Sequence, residues 1–303
     1  MSLRVGLISR TFFNMPLWAA FEQGFFVDAG LDIEAEILDS GTKVTEGLRN
    51  GSLNFAIAPP DGVLLDAAAG GSLRIIAGNT SKLSHFLITQ PHFKKIEDLK
   101  GARIGCLSID EGTTFVIQDM LSRHGLTFPD DYILDPVGGA PTRWKLFQEK
   151  KIDAGLQSIP LSYMAEDAGF SNLAATTDYI PDYQFTVVNA DGEWAGSHES
   201  ETVAFLAALL KATEWVYGNR AGVADIAARE MNISTDYAGR AWDDFTGRAI
   251  MPRDMSVSPA GLETVAGIMA RAGMLPADAA GRVSSCVASR YLEAARKIWV
   301  RSP

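Results

Sequence analysis

The chain has 303 residues, of which 47% are hydrophobic and 21% are charged, and its formal net charge is −10. This length suggests two domains, and the composition excludes a disordered, collagen-like or coiled-coil chain. The acidic balance lacks the basic surface that a phosphate backbone attracts, so we expect no nucleic-acid partner. No run of apolar residues is long enough to predict a membrane span.

In the first part of the chain, short apolar runs alternate with helical patterns. This alternation is typical of α/β units built on a mostly parallel sheet. The predicted strands are Arg4–Ser9, Asp32–Ile37, Asn54–Ala58 and Arg74–Gly78. The predicted helices between them are Pro16–Gln23, Lys43–Asn50 and Gly62–Ala69.

A second alternating set predicts a second α/β lobe. Its predicted strands are Arg103–Leu107, Tyr132–Pro136 and Ala154–Gln157, and its helices are Thr113–His124 and Pro141–Lys150. The chain is expected to cross between the lobes near Ser84–Ile88 and again near Gln184–Asn189, a β-like run that returns it to the first lobe. The first lobe is thus predicted to hold residues 1–84 and 186–303, and the second residues 85–185.

Beyond Asn189 the pattern predicts only helices, which form a helical C-terminal tail on the first lobe. They are Ser200–Tyr217 with Ser200 as its cap, Gly222–Met231, Thr235–Phe245, Pro259–Ala272 and Ser284–Trp299.

The residues from Leu3 to Ile8 already form a predicted strand, with no cleavable leader before them. The protein is therefore expected either in the cytoplasm or, if a leader was removed, in the periplasm or anchored outside the membrane. Cys106 and Cys286 lie in apolar surroundings and are expected to be buried free thiols. The four histidines show no ligand spacing, so neither a metal site nor a cofactor is predicted.

The familiar catalytic and phosphate-binding motifs are absent, so no catalytic residue is predicted. A catalytic triad whose residues come together only in the folded chain stays an open alternative. What recurs is a small polar or glycine-containing loop between a strand and the next helix. Ligands of open α/β sheets bind at this edge, where helix N-termini favour anionic groups. Ordinary helix capping is the alternative for each loop. The candidate ligand-binding residues are Thr11, Phe12, Phe13, Trp18, Gly41, Thr42, Pro60, Asp61, Asn79, Ser108, Thr113, Thr114, Thr142, Arg143, Ser158 and Tyr183.

These candidates leave the chemical class of the ligand open. Arg143 carries a planar guanidinium that suits an oxyanion, whereas Asp61 and Glu111 would attract an amine or an aminopyrimidine. Trp18 is placed either to stack a planar ligand or to fill the core. The expected ligand is thus a sulfonate, a carboxylate or a pyrimidine-like molecule.

Several motifs carry a resemblance that extends to about residue 220. They are Pro16 and Ala19 before Gly24-Phe25-Phe26, then Gly30-Leu31-Asp32-Ile33-Glu34, Gly41, Glu46-Gly47-Leu48 with Gly51-Ser52-Leu53-Asn54-Phe55-Ala56-Ile57, Ile96-Glu97-Asp98-Leu99-Lys100-Gly101-Ala102-Arg103-Ile104-Gly105 and Lys151-Ile152-Asp153-Ala154. This pattern resembles type II periplasmic binding proteins, in the branch for nitrate, sulfonates, taurine and thiamine pyrimidine precursors. Asn54 departs from the aspartate usual in that family.

The resemblance implies two α/β lobes that close over a small ligand and deliver it to an ABC-type permease. It also leaves two alternatives. One is an enzyme or biosynthetic protein on the same scaffold, related to thiamine pyrimidine synthesis or to small decarboxylases. However, the cysteine-rich motif of the synthesis branch is missing in a chain with two cysteines. The other is a cytosolic ligand sensor, for which no signalling module is visible.

Overall fold

The computed structural model describes residues 2–299. The chain divides into two compact units, the first formed by Met1–Lys82 and Asp182–Pro303, and the second by Leu83–Pro181. Each unit contains its own five-stranded sheet. The stretch Arg103–Gln157 contributes no strand to the sheet that holds Arg4–Gly78, as the prediction of two α/β lobes requires.

The sheet of the first unit has the strand order β2-β1-β3-β10-β4. Its strands are β1 (Leu3–Leu7), β2 (Ile33–Ile37), β3 (Phe55–Ala58), β4 (Leu73–Thr80) and β10 (Thr186–Asp191). β1 is parallel to β2 and β3, whereas β10 is antiparallel to both β3 and β4. Four of the five strands therefore run in one direction, and the fifth, β10, is reversed.

The helices of the first unit follow its strands and then form the C-terminal part. They are α1 (Met15–Glu22), α2 (Phe25–Asp28), α3 (Gly41–Arg49), α4 (Asp61–Ala68), α9 (Gly192–Ser197), α10 (Glu199–Gly218), α11 (Arg220–Met231), α12 (Thr235–Gly247), α13 (Pro259–Arg271) and α14 (Arg290–Trp299), with 3₁₀ helices at Phe12–Asn14 and Ala279–Cys286.

The sheet of the second unit repeats this arrangement, with the order β7-β6-β8-β5-β9. Its elements are β5 (His85–Thr89), a 3₁₀ helix at Ile96–Leu99, β6 (Arg103–Cys106), α5 (Gly112–Ser122), β7 (Ile133–Pro136), α6 (Ala140–Gln148), β8 (Ala154–Ser158), α7 (Leu161–Asp167), β9 (Ser171–Ala175) and α8 (Thr176–Tyr179). β5 is the reversed strand, antiparallel to β8 and β9. Both sheets are thus mostly parallel, and the predicted fold class is confirmed with one reversed strand in each.

The chain passes between the units at Lys82/Leu83 and at Pro181/Asp182, close to the crossings predicted near Ser84–Ile88 and Gln184–Asn189. Most of these two stretches belongs to the strands β5 and β10 that follow the crossings.

Two local predictions are wrong. Ser200 is not a cap, because α10 begins at Glu199. The helix predicted over Ser284–Trp299 is interrupted, because Val287 pairs with Ile75 at the edge of β4 and α14 begins only at Arg290.

The core of the first unit is built from aromatic side chains that come from distant parts of the chain. The Phe205 ring on α10 stacks between Phe26 and Phe55, with ring centroids 5.5 and 4.1 Å away. Such stacks add to the free energy gained by burying large apolar side chains. This contact fixes the helical tail against the sheet.

Close approach between α3 and α4 depends on a glycine. A Cβ at Gly62 would lie 2.0 Å from Thr45 Oγ1, and the Thr45 hydroxyl donates to the carbonyl of Gly41. The first turns of both helices therefore lie side by side, immediately after β2 and β3.

No helix within residues 2–299 is long and apolar enough to cross a membrane.

Candidate functional site

In the first unit, four loops meet at one edge of the sheet. β1, β2, β3 and β4 run in the same direction, so their carboxyl ends share that edge. The candidates at this edge are Thr11, Phe12 and Phe13 after β1, Gly41 and Thr42 after β2, Pro60 and Asp61 after β3, and Asn79 as the second-to-last residue of β4. We call these residues the first loop cluster.

Asn79 joins two of these loops. Its side-chain amide donates to the Phe13 carbonyl at 2.9 Å and to Thr186 Oγ1 at 2.9 Å, and the residue is only 4% exposed. A buried amide with satisfied hydrogen bonds holds its neighbours in one geometry. Asn79 therefore fixes the loop after β1 against the end of β4.

The aromatic candidates of the first unit lie in its core. Phe12 is fully buried and packs against Phe245 on α12, with ring centroids 4.7 Å apart. Phe13 contacts Phe185 and Phe245, and Trp18 and Tyr183 are also buried. These side chains support the loops from beneath.

Backbone amides at helix starts offer donors at this edge. Ser40 caps α3 by accepting a hydrogen bond from the Lys43 amide, and Gly41 and Thr42 form the first turn of that helix. Asp61 is the first residue of α4, where the positive end of the helix dipole stabilises its carboxylate. The first loop cluster thus combines amide donors with one acidic side chain.

The second unit forms a matching edge, because β6, β7 and β8 are parallel. The second loop cluster consists of Ser108, Thr113 and Thr114 after β6, Thr142 and Arg143 after β7, and Ser158 at the end of β8. Thr114 is fully buried and donates to the Ser108 carbonyl at 2.6 Å, while Thr113 donates to Glu111 at the same distance.

Arg143 is the charged centre of the second loop cluster, although it is only 8% exposed. Its Nη1 donates to the Gly138 carbonyl at 2.7 Å and its Nε donates to the Leu156 carbonyl at 3.1 Å. Burial lowers the pKa of this guanidinium, while the nearby Glu111 carboxylate raises it. The side chain thus ties the loop after β7 to β8 and places a positive charge beside both.

His85 lies opposite Ser158 in the antiparallel pairing of β5 and β8. Burial, together with the positive charge of Arg143, lowers the pKa of this imidazole to about 3. His85 is therefore neutral at pH 7 and adds no second positive charge to this edge.

Three buried hydroxyls at this edge make no hydrogen bond with the described residues. They are Ser158 Oγ, Ser84 Oγ just before β5, and Ser162 Oγ in the first turn of α7. Buried polar groups normally have partners, and hydroxyls without a protein partner are able to bond to an ordered water or to a small ligand. Of these three serines, Ser158 was predicted from the sequence, whereas Ser84 and Ser162 were not. The sequence offers no signal for them beyond the spacing of Ser162 four positions after Ser158.

Neither catalytic nor metal-binding chemistry stands out at these edges. Cys106 and Cys286 are both buried free thiols, as predicted. Burial raises the pKa of the Cys106 thiol to about 11, which is the opposite of what activates a nucleophile. Within residues 2–299, no group of three or more histidine, cysteine or carboxylate side chains is placed to hold a metal ion.

The chain has two α/β units, and in each of them polar residues and helix starts follow the carboxyl ends of the strands. This is the architecture of the periplasmic-binding-protein type of fold. The family model described as "NMT1/THI5 like" matches residues 12–221, and the chain belongs to this family. The resemblance inferred from the sequence motifs is thereby confirmed.

Individual proteins are similar to this chain in sequence or in structure. The chain is 28% identical over 238 residues to a Brucella abortus (strain 2308) protein named "Putative binding protein BAB2_1146", covering 76% of this chain and 72% of the relative. The periplasmic nitrate-binding protein NrtA from Synechocystis PCC 6803 has a similar structure, with a TM-score of 0.84 at 15% identity, over 100% of this chain and 89% of that one. The alkanesulfonate-binding protein SsuA from Xanthomonas axonopodis pv. citri gives a TM-score of 0.73 at 18% identity, over 91% and 94% of the two chains.

Proposed function

We propose that this chain is the solute-binding component of an ABC-type importer and works in the periplasm. Membership of the NMT1/THI5-like family carries the proposal. The similar structures include proteins named for binding nitrate and alkanesulfonates. The two loop clusters support it, because each presents helix starts and polar side chains at the sheet edge where α/β proteins bind ligands.

In this proposal the ligand is a small polar molecule, and each loop cluster offers groups that suit such a molecule. The first cluster contributes backbone amides from Gly41 and Thr42. The second contributes the Ser158 hydroxyl and the positive field of Arg143. Because His85 is neutral and the Arg143 charge is partly offset by Glu111, one anionic group at most is favoured there. A sulfonate or a carboxylate meets this condition better than a phosphate dianion does.

A pyrimidine-like ligand is the second candidate, and Asp61 favours it. The carboxylate at the start of α4 would accept hydrogen bonds from an exocyclic amine and would repel an anion. The two candidates therefore make opposite demands on Asp61 and Arg143, which makes these residues useful for separating them.

The test is a thermal-shift screen of the full chain against alkanesulfonates, carboxylates, aromatic acids and aminopyrimidines, followed by calorimetry of each hit. A ligand that binds only the folded state raises the melting temperature. For an anionic ligand, Ser158→Ala and Arg143→Lys should each weaken binding, whereas Asp61→Asn should not. For an aminopyrimidine, Asp61→Asn should be the damaging change.

Two outcomes would contradict the proposal. If no compound binds at millimolar concentration, the solute-binding function fails. If mass spectrometry of a bound compound shows time-dependent conversion by the pure protein, the protein is an enzyme on this scaffold. Lys145→Ala, an exposed change on the same helix as Arg143, serves as the variant for comparison.

A further inference from the structure

The first unit contains a cavity of about 400 Å³. It is formed by β4, the segment 256–259, α13, the 3₁₀ helix Ala279–Cys286 and α14. None of the candidate ligand-binding residues lines it. Its volume falls within the range of about 300–1,000 Å³ that small-molecule sites occupy.

The surface of the cavity is mostly apolar. Six branched aliphatic side chains line it, which are Ile76, Val257, Leu262, Val283, Val287 and Leu292. Ile76 and Leu262 are almost completely buried, so the apolar wall continues into the core. An apolar group placed there would be removed from water, and this burial would favour binding.

The wall of the cavity is attached to the sheet. Val287 pairs with Ile75, and the Ala288 amide donates to the Ile75 carbonyl at 2.8 Å. These contacts cover part of the edge of β4 and hold the segment between the 3₁₀ helix and α14 in place. The wall of the cavity therefore belongs to the ordered part of the fold.

The rim of the cavity carries a negative charge. Glu263 on α13 and Glu293 on α14 both line it and are exposed. Ser289 donates to the Glu293 carboxylate at 3.0 Å, which restrains its orientation. Arg296 also lines the cavity, but its Nη2 forms an ion pair with Asp254 at 2.9 Å and its Nε donates to the Asp254 carbonyl. The two glutamates thus determine the net charge.

We propose that this cavity is a second ligand site, specific for a small organic cation that joins an ammonium group to an aliphatic or aromatic body. The apolar body fills the space beside Leu262 and Leu292, and the ammonium group lies between Glu263 and Glu293. This site is independent of the solute proposed for the loop clusters, because it is formed by other residues of the first unit.

The experiment uses the full chain and three probes of nearly equal size, which are 2-phenylethylammonium, 2-phenylethanol and 3-phenylpropionate, at pH 7. Methyl-resolved NMR follows the titration. The expected result is that ring-current shifts concentrate at the methyl groups of Ile76, Val257, Leu262, Val283, Val287 and Leu292. Methyl groups of Leu209 and Val216, which are buried on α10, should stay unshifted.

The charge is tested by the double variant Glu263→Gln with Glu293→Gln, which keeps the shape of two exposed side chains. We expect the cation to bind the natural chain about three- to tenfold more tightly than the alcohol does, as exposed charge pairs allow. The double variant should reduce this ratio to near one and leave the affinity of the alcohol unchanged. Glu46→Gln on α3 is the matched control and should preserve the ratio.

Several results would overturn the proposal. Shifts that scatter over the protein, or that appear at the loop clusters alone, would show that the cavity is not a site. Equal or tighter binding of the alcohol or the carboxylate would refute the ligand class. A preference for the cation that survives in the double variant would show that the glutamates do not recognise it.

Discussion

The guanidinium of Arg143 and the carbonyl of Gly138 form a 2.7 Å hydrogen bond inside the second unit. Gly138 has a φ of +102°, a backbone conformation that favours glycine and turns its carbonyl toward the first turn of α6. The same side chain that carries the charge of the second loop cluster therefore also shapes the loop after β7. Loss of Arg143 is expected to change the loop together with the charge.

The first prediction concerns this double role. Arg143→Ala should lower the free energy of unfolding by about 2–4 kcal/mol, because it leaves the carbonyls of Gly138 and Leu156 without their buried donor. Arg143→Lys should recover only part of this loss, since an ammonium group lacks the planar arrangement of donors. Urea unfolding measures the stability, and hydrogen exchange of the peptide 133–158 reports the local opening. Lys145→Ala, on the same helix but exposed, should change the stability by less than about 0.5 kcal/mol. An equally stable Arg143→Ala protein would contradict the structural role.

The second prediction concerns pH. The pKa of His85 is lowered to about 3 in the folded chain, whereas an unfolded histidine titrates near 6.5. Above pH 6.5 the imidazole is neutral in both states, so this group leaves stability unchanged there. Below pH 6.5 the His85 imidazole binds a proton in the unfolded chain but not in the folded chain. The free energy of unfolding therefore falls as the pH decreases toward 3. At pH 4.5 the loss attributable to His85 should be about 2–3 kcal/mol.

Urea unfolding at pH 7 and at pH 4.5 tests this expectation. His85→Gln should flatten the dependence between these pH values, whereas His92→Gln should not, because His92 is exposed. The same acid sensitivity in the natural chain and in His85→Gln would assign the effect to other groups.

The third prediction concerns the approach of α3 to α4. Gly62→Ala should destabilise the protein by about 1–3 kcal/mol, because the new Cβ would lie 2.0 Å from Thr45 Oγ1. The double variant with Thr45→Ala should recover part of this loss, which a double-mutant cycle would record as coupling. Gly247→Ala, where the added Cβ meets no atom within 4 Å, should be neutral or slightly stabilising. Additive effects of Gly62→Ala and Thr45→Ala would contradict the contact.

The fourth prediction concerns thiol chemistry. Cys106 is 2% exposed and its pKa is raised to about 11, so its thiolate fraction at pH 8 is on the order of one in a thousand. Burial also raises the pKa of Cys286. A disulfide reagent should therefore label both thiols slowly in the folded protein and rapidly in urea. The Cys286→Ser variant isolates Cys106, and fast labelling of this variant under native conditions would refute its burial.

Much of the fold could be predicted from the sequence, because apolar periodicity and helix caps are local signals. The predicted helices at Thr235–Phe245 and Pro259–Ala272 begin where α12 and α13 begin. β9 was missed because Ser-Asn-Leu-Ala-Ala has little of the β-branched composition that marks a strand. The interruption before α14 was missed because it depends on pairing with β4, more than two hundred positions earlier in the chain.

The candidate site could be predicted less completely, because the state of each side chain depends on tertiary partners. The loops after the strands are visible as sequence patterns. Whether Phe12 faces a ligand or the core depends on Phe245, which belongs to a helix near the other end of the chain. In the same way, the donors of Arg143 are engaged by two backbone carbonyls, and no pattern of residue types reveals such bonds.

The position of β10 has a consequence for how the protein is made. β10 lies between β3 and β4, yet the ribosome produces it only after the whole of the second unit. Until then, the first 82 residues leave the facing edges of β3 and β4 without a partner. The second unit is a continuous segment and can fold as soon as it emerges. We therefore expect the order of folding during synthesis to differ from the order of the sequence: the middle of the chain becomes native first, and the N-terminal segment completes its sheet only when β10 has been made.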